Sequence, residues 1–168
     1  MDTKFFIEQC LAATQSLLLK TLDGLTPDDL AWKPREECNS IGFLLWHMLR
    51  TEDIMIQRFA QRKQEIYEAE GWSAKLGTPP GETGYNYSLE QMTKFTVPKL
   101  EDLLAYGKSV SEHTLIYLRS LTAEKFDEKV RPNRTETIGE IFGTVVAHLN
   151  QHVGQISYLR GLQKGLNK

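Results

Sequence analysis

The sequence has little of what marks several common protein classes. Only two of its 168 residues are cysteines, Cys10 and Cys38, which is too few for the disulfide framework of a small secreted protein. We expect both to be free thiols. The 20 Lys and Arg residues are balanced by 22 Asp and Glu, and they form no basic run that would neutralise a row of phosphates. Nucleic acid is therefore not an expected partner.

Long apolar segments are also missing. No stretch approaches the roughly 20 residues needed to cross a bilayer. The first residues, MDTKFFIEQ, carry acids where a signal peptide would carry bases. We therefore expect a cytoplasmic protein with no membrane partner. The apolar content of 40% fits a single domain over residues 1–168 with a core of its own.

The sequence does contain helical periodicity. No segment alternates with period two for long enough to build a sheet, whereas apolar residues recur at three- and four-residue spacings in four long segments. These predict helices over about residues 3–22, 40–63, 88–118 and 137–164, the third kinked or restarted at Pro98. Ser88 with Gln91, and Thr137 with Glu140, have the spacing of capping boxes. The predicted fold class is all-α.

The lengths of the connections predict how these helices are arranged. About 17 and about 16 residues join helices one to two and three to four, but about 24 join helices two and three. That middle connector contains GWSAKLGTPPGETGYNY. Only this connector easily crosses the length of a bundle. We therefore predict a four-helix bundle, up-down-down-up, with a long crossover between helices two and three and with helices two and four antiparallel.

Three histidines indicate a metal site. His148 and His152 are one turn apart and share the inward face of the fourth helix, and His47 faces inward on the second. A lone inward histidine is usually a hydrogen-bonded core residue. Two imidazoles in one apolar seam must satisfy four ring nitrogens, which a cation achieves. Three protein nitrogens also leave a coordination position open, as in catalytic rather than structural sites. We predict His47, His148 and His152 as the ligands.

Other polar residues fit the site less well. His113 lies at the boundary of its helical face and is not expected to be a ligand. Gln155, one turn beyond His152, either orients an imidazole or holds a water there, or serves only in packing. Glu52 and Asp53 point roughly 140° and 120° away from His47, which makes them poor general bases. Four aromatic residues either wall a pocket or belong to the core or a dimer contact: Trp46, Trp72, Tyr85 and Tyr87.

The segments SIGFLLWHMLRTEDIMIQRF and HLNQHVGQISYLRGLQKG, with a GW-containing connector between them, resemble the DinB-like superfamily, which includes YfiT-like metal-dependent hydrolases. The resemblance covers nearly the whole chain. Its specific parts are the surroundings of His47 and the HxxxHxGQ pattern of His148, His152, Gly154 and Gln155. It implies a four-helix bundle holding a divalent metal, zinc or nickel, through three histidines of helices two and four.

The resemblance leaves two functions open, because related proteins include thiol-dependent transferases and a thiol-dependent isomerase. The first is a divalent-metal-dependent enzyme, a hydrolase or thiol-dependent transferase, acting on a small molecule such as a low-molecular-weight thiol. The second is a non-catalytic metal-binding protein for interaction or stress response. Three imidazoles accept several metals, so the residues alone do not choose one. No catalytic residue is assigned. Members of the DinB-like superfamily often form dimers, so the resemblance also implies a homodimer.

Overall fold

The computed structural model of the protein describes residues 2–132 and 135–165. Within these residues the chain is helical and forms no β-strand, which confirms the all-α prediction. An isolated antiparallel bridge pairs Lys129 with Thr137. The α-helices of this part of the chain are α1 (Thr3–Leu22), α2 (Pro27–Ala31), α3 (Ile41–Asp53), α4 (Ile66–Ala69), α5 (Trp72–Leu76), α6 (Leu89–Lys94), α7 (Leu100–Ser120) and α8 (Ile138–Lys164). None of these helices is both long and apolar enough to cross a membrane.

Side-chain caps determine where several helices begin. The first N–H groups of a helix lack partners within it, and a polar side chain at the N-cap satisfies one of them. Ser40 does so at the start of α3. The two predicted capping boxes are confirmed, with Ser88 and Gln91 at α6 and with Thr137 and Glu140 at α8.

Two predicted helices are interrupted. The second ends as an α-helix at Asp53 and continues as a π-helical segment, Ile54–Ala60. This change was not predicted, because apolar spacing over so few residues does not distinguish the two helical geometries. The third is divided into α6 and α7 by an extended stretch around Pro98, which has no N–H to donate and disfavours helical backbone at the preceding residue. Helices α2, α4 and α5 are too short for a periodicity signal and were not expected.

Four long helices provide most of the core in the described part of the chain. Helix α3 packs against α7 and α8, and α1 packs against the same two helices. Each contributes an apolar stripe, as the helical periodicity predicts. The core side chains with no exposed surface are Ile41, Leu45, Trp46, Ile56, Tyr67, Leu103, Tyr106, Val110, Leu118, Phe142 and Ile156.

A buried ionic network ties the connector after the π-helical segment to α3 and α7. Arg50 of α3 has no exposed surface, and its guanidinium donates to Glu65 Oε2 at 2.6 Å and to Asp53 Oδ2 at 3.3 Å. Asp53 also accepts from the backbone N–H groups of the two residues that follow Glu65. The Tyr106 hydroxyl of α7 donates to Asp53 at 2.8 Å. Such charges are tolerated in a core only when each has its partners, so the network fixes the connector in place.

We expect Arg50→Met to destabilise the protein strongly, because Asp53 and Glu65 would stay buried without their cation. Breaking a buried pair in this way costs about 3–5 kcal/mol of the free energy of unfolding. The matched control is Arg119→Met, which removes an exposed ion pair with Glu8 and should cost far less. Urea denaturation of both variants measures the difference, and equal losses would contradict a structural role for the network.

Candidate metal centre

Three imidazoles from two helices meet at one point. Helix α3 positions His47, and α8 positions His148 and His152 one turn apart on its inward face. Nε2 of His148 lies 3.2 Å from Nε2 of His47 and 3.0 Å from Nε2 of His152. His152 is buried and the other two are half-buried. The structure thus brings together the three residues predicted as ligands, in an arrangement that could hold a metal ion.

Hydrogen bonds on the far side of two rings orient them. Nδ1 of His47 lies 2.6 Å from the Thr83 carbonyl oxygen, and Nδ1 of His152 lies 2.7 Å from Oε1 of Gln155. Both oxygens can only accept, so Nδ1 of each ring carries the proton. The Nε2 lone pair of each ring is therefore left facing the centre of the cluster. Ligating histidines characteristically have such acceptors behind them.

The nitrogens fit a cation better than they fit one another. In the neutral rings of His47 and His152, Nε2 carries no proton, so only Nε2 of His148 can donate within the cluster. It can donate to one neighbour at most, and the remaining lone pairs face one another without a proton between them. Nδ1 of His148 is buried and has no hydrogen-bond partner among the described residues. Nitrogens that share one zinc ion at about 2.0–2.1 Å in tetrahedral geometry lie roughly 3.3 Å apart. The two short separations are close to that value, so the residues present suit a divalent ion.

Burial keeps the imidazoles neutral. It lowers the pKa of His47 and of His152, although the hydrogen bonds to Thr83 and Gln155 partly oppose this effect. Burial, and then the proximity of the other two rings, lowers the pKa of His148 to about 4. Neutral imidazole is the form that binds metal ions. Near pH 7 the cluster is therefore in its ligand form.

The connector reaches the site through two adjacent carbonyls. Arg50, one turn beyond His47 on α3, donates from Nε to the Glu82 carbonyl at 2.9 Å, and the next carbonyl, Thr83, accepts from His47. Gly84 follows with φ +81°, and a Cβ there would lie 2.9 Å from two aromatic rings of α3. Glycine therefore allows the connector to lie close enough for the Thr83 contact. The buried network and the site are parts of one arrangement.

A cavity of about 400 Å³ lies beside the cluster. Its lining includes His47, His152, Tyr85 and Tyr87, together with the polar residues Glu37, Asn39 and Asn86. Tyr85 and Tyr87, two of the four aromatic residues predicted for a pocket, thus lie at this cavity. The other two do not: Trp46 is fully buried in the core, and Trp72 packs against Tyr106 with their ring centroids 5.6 Å apart. The polar lining and the adjacent imidazoles suit a small polar molecule.

Of the other polar residues considered for the site, Gln155 contacts the histidine cluster and His113 does not. Gln155 orients an imidazole, which is one of the roles expected for it. His113 is half-buried on α7, where Nδ1 lies 2.9 Å from the Ser109 carbonyl oxygen, and it is not part of the cluster. Thr83 could not be predicted from the sequence, because it acts through its backbone carbonyl and any residue type offers one. Arg50 could have been noticed as a cation on a largely apolar helix, one turn from His47.

Comparison with known proteins identifies the family. The family model of the DinB superfamily matches residues 11–156, a segment that contains all three histidines. The chain belongs to the DinB superfamily. Its structure is similar to one described as the crystal structure of the conserved protein of locus from Enterococcus faecalis, with a TM-score of 0.85 over 96% of this chain and 97% of that chain. At 22% sequence identity, this similarity concerns the fold. No curated protein matches the sequence.

The lowered pKa of His148 predicts how this DinB-superfamily protein responds to acid. The unfolded chain takes up a proton on this ring near pH 6.5, the folded protein only near pH 4. The neutral ring's contribution to stability is therefore complete above about pH 6.5 and is lost as the pH falls towards 4. In metal-free protein, an NMR titration of the His148 ring should give a midpoint well below 6.5. An ordinary midpoint would contradict the half-buried position of this ring beside the other two imidazoles.

Proposed function

We propose that this protein is a divalent-metal-dependent enzyme whose ion is held by His47, His148 and His152. The observation that carries the proposal is the convergence of three neutral Nε2 atoms beside a cavity. We expect zinc or nickel, as the family resemblance implies. A divalent ion there would supply Lewis-acid chemistry, polarising a substrate group or lowering the pKa of a water or thiol.

The surrounding residues would position a small substrate. Thr83 and Gln155 hold two of the imidazoles, and α8 itself sets the spacing between His148 and His152. The polar and aromatic walls of the cavity offer hydrogen bonds and ring faces. We propose a hydrolase or a thiol-dependent transferase acting on a small molecule such as a low-molecular-weight thiol, because these reactions occur among the relatives that the chain resembles.

The second candidate is a non-catalytic metal-binding protein for interaction or stress response. One observation favours it. The acids nearest to His47 along α3 do not serve the site, because Asp53 is engaged by Arg50 and Glu52 lines a different cavity. Helix α3 thus supplies no general base. A metal could then act by stabilising the contact between α3 and α8.

We further propose that the long helices form the up-down-down-up bundle predicted from the connector lengths. Arg160 near the end of α8 donates to the carbonyl of Thr21 at the end of α1, which supports parallel α1 and α8. Arg119 near the end of α7 pairs with Glu8 near the start of α1, which supports an antiparallel pair. The π-helical segment that follows α3 lies against α8, around a cavity that includes Ile141 near the start of α8. This contact supports antiparallel α3 and α8.

A homodimer is also part of the proposal. The family resemblance implies one, and α1 exposes large apolar side chains that a second copy could cover. They are Phe5, Phe6, Leu17 and Leu19. An isologous contact through this face would bury them without involving the histidine cluster.

Substitution of the histidines tests the ligand set. We expect His47→Ala, His148→Ala and His152→Ala each to lose zinc or nickel binding, because each removes one of the three nitrogens. Gln155→Leu removes only the orienting acceptor and should weaken binding by about 10–100-fold. The matched control, His113→Ala, should bind normally. Protein prepared without a histidine tag is analysed by elemental analysis and calorimetry. Retained binding in His47→Ala would refute the proposed site.

Cobalt spectroscopy separates the enzyme from the structural alternative. Three protein nitrogens leave a coordination position open, so the visible spectrum of the cobalt-loaded protein should change when azide or a small thiol is added. The change should be absent in His152→Ala and preserved in His113→Ala. A spectrum indifferent to every small anion and thiol would indicate a closed site. The non-catalytic function would then be the better conclusion.

A further inference from the structure

A second cavity, of about 270 Å³, lies on another side of α3 from the metal centre. Its walls come from α1, α3 and α7, with one residue from α8, and they are largely apolar. The leucines that build most of them are Leu11, Leu18, Leu45, Leu49, Leu103 and Leu104. Ligand pockets of about 300–1,000 Å³ suit drug-sized molecules, so this cavity suits a smaller one.

One buried acid lines this cavity. Glu52 of α3 is only 6% exposed, and its position on the helix is roughly 140° from that of His47. Thr114 of α7 lies near the carboxyl, but its buried hydroxyl has no hydrogen-bond partner among the described residues. No cation of the described residues forms an ion pair with it. Lys108 also lines the cavity, but its side chain is 76% exposed and its ammonium lies 3.9 Å from Glu112.

Burying the Glu52 carboxylate in this position lowers the stability of the fold. Burial raises the pKa of Glu52 to about 7, so near neutral pH the charged and uncharged forms are both present. Transferring an unpaired carboxylate from water into apolar surroundings is strongly unfavourable. A cation that enters the cavity would relieve that penalty, whereas an anion would increase it. The leucines in turn favour a hydrocarbon group over a polar one.

We propose that this cavity binds a small lipophilic amine, whose ammonium group pairs with the Glu52 carboxylate while its hydrocarbon part contacts the leucines. The site is distinct from the histidine cluster and does not depend on the proposed enzymatic function. It gives the protein a second ligand class, a hydrophobic cation, beside the polar molecule suited to the metal centre.

Three probes with the same six-carbon alkyl chain test the charge requirement: hexylamine, hexanol and heptanoate. Calorimetry on the full chain should show that hexylamine binds and that the alcohol and the acid bind at least tenfold more weakly. Leucine methyl resonances should shift at Leu49 and Leu103 on addition of the amine. Hexanol binding as tightly as hexylamine, or no binding of hexylamine, would overturn the proposal.

Matched variants locate the interaction. Glu52→Gln keeps the side-chain size, removes the charge and should weaken hexylamine binding at least tenfold. Glu112→Gln removes an exposed carboxylate from the adjacent helix and should leave binding unchanged. An unaffected Glu52→Gln variant would overturn the assignment. If that variant does not fold, Ser111→Phe, which narrows the cavity with Glu52 intact, should abolish binding, and retained binding would overturn the proposal equally.

A final control separates this site from the metal centre, since amines can also bind metal ions. Hexylamine affinity should be the same in His152→Ala as in the unsubstituted chain, and metal content should be the same in Glu52→Gln. Loss of amine binding in His152→Ala would place the amine at the histidines and overturn the proposal. If the protein bound hexylamine as expected but bound no metal, the proposed function would be refuted and the amine site would still stand.

Discussion

The position of the connector and of the His47 ring depends on the hydrogen bonds of the buried Arg50 guanidinium. Removing a guanidinium and two carboxylates from water is unfavourable unless every charge finds its partners at once. Helix α3 provides Arg50 and Asp53, the connector provides Glu65, and α7 provides the Tyr106 hydroxyl. These segments must therefore occupy their native positions together. A core of leucines alone would tolerate more variation in where the connector lies.

The same guanidinium links this network to the histidine cluster. Its Nε–H reaches the carbonyl of Glu82, and the adjacent carbonyl of Thr83 accepts the Nδ1 proton of His47. The connector thus determines which nitrogen of that ring is free to face His148. On another side of α3, Glu52 reaches a separate apolar cavity. A single helix in this way carries a neutral imidazole and a buried acid to two chemically different places.

The parts of the fold that could be predicted rest on short-range geometry. The capping boxes at Ser88 and Thr137 follow from a three-residue spacing, and the shared face of His148 and His152 follows from a four-residue one. The π-helical segment and the short helices α2, α4 and α5 could not be predicted. They extend over too few residues for their pattern to differ from that of a loop or an ordinary helical turn.

The sequence by itself determined the long helical segments and the faces on which the three histidines lie, because both follow from hydrogen bonds between residues four apart in a helix. It also determined the family, because the residues around the histidines are specific to it. The tertiary structure alone decided that His47 meets a pair about a hundred positions away, and that the Thr83 carbonyl lies behind it. It also decided that Glu52 faces a cavity rather than solvent. Such contacts depend on how helices pack and on where the connector is fixed, and no local spacing encodes either.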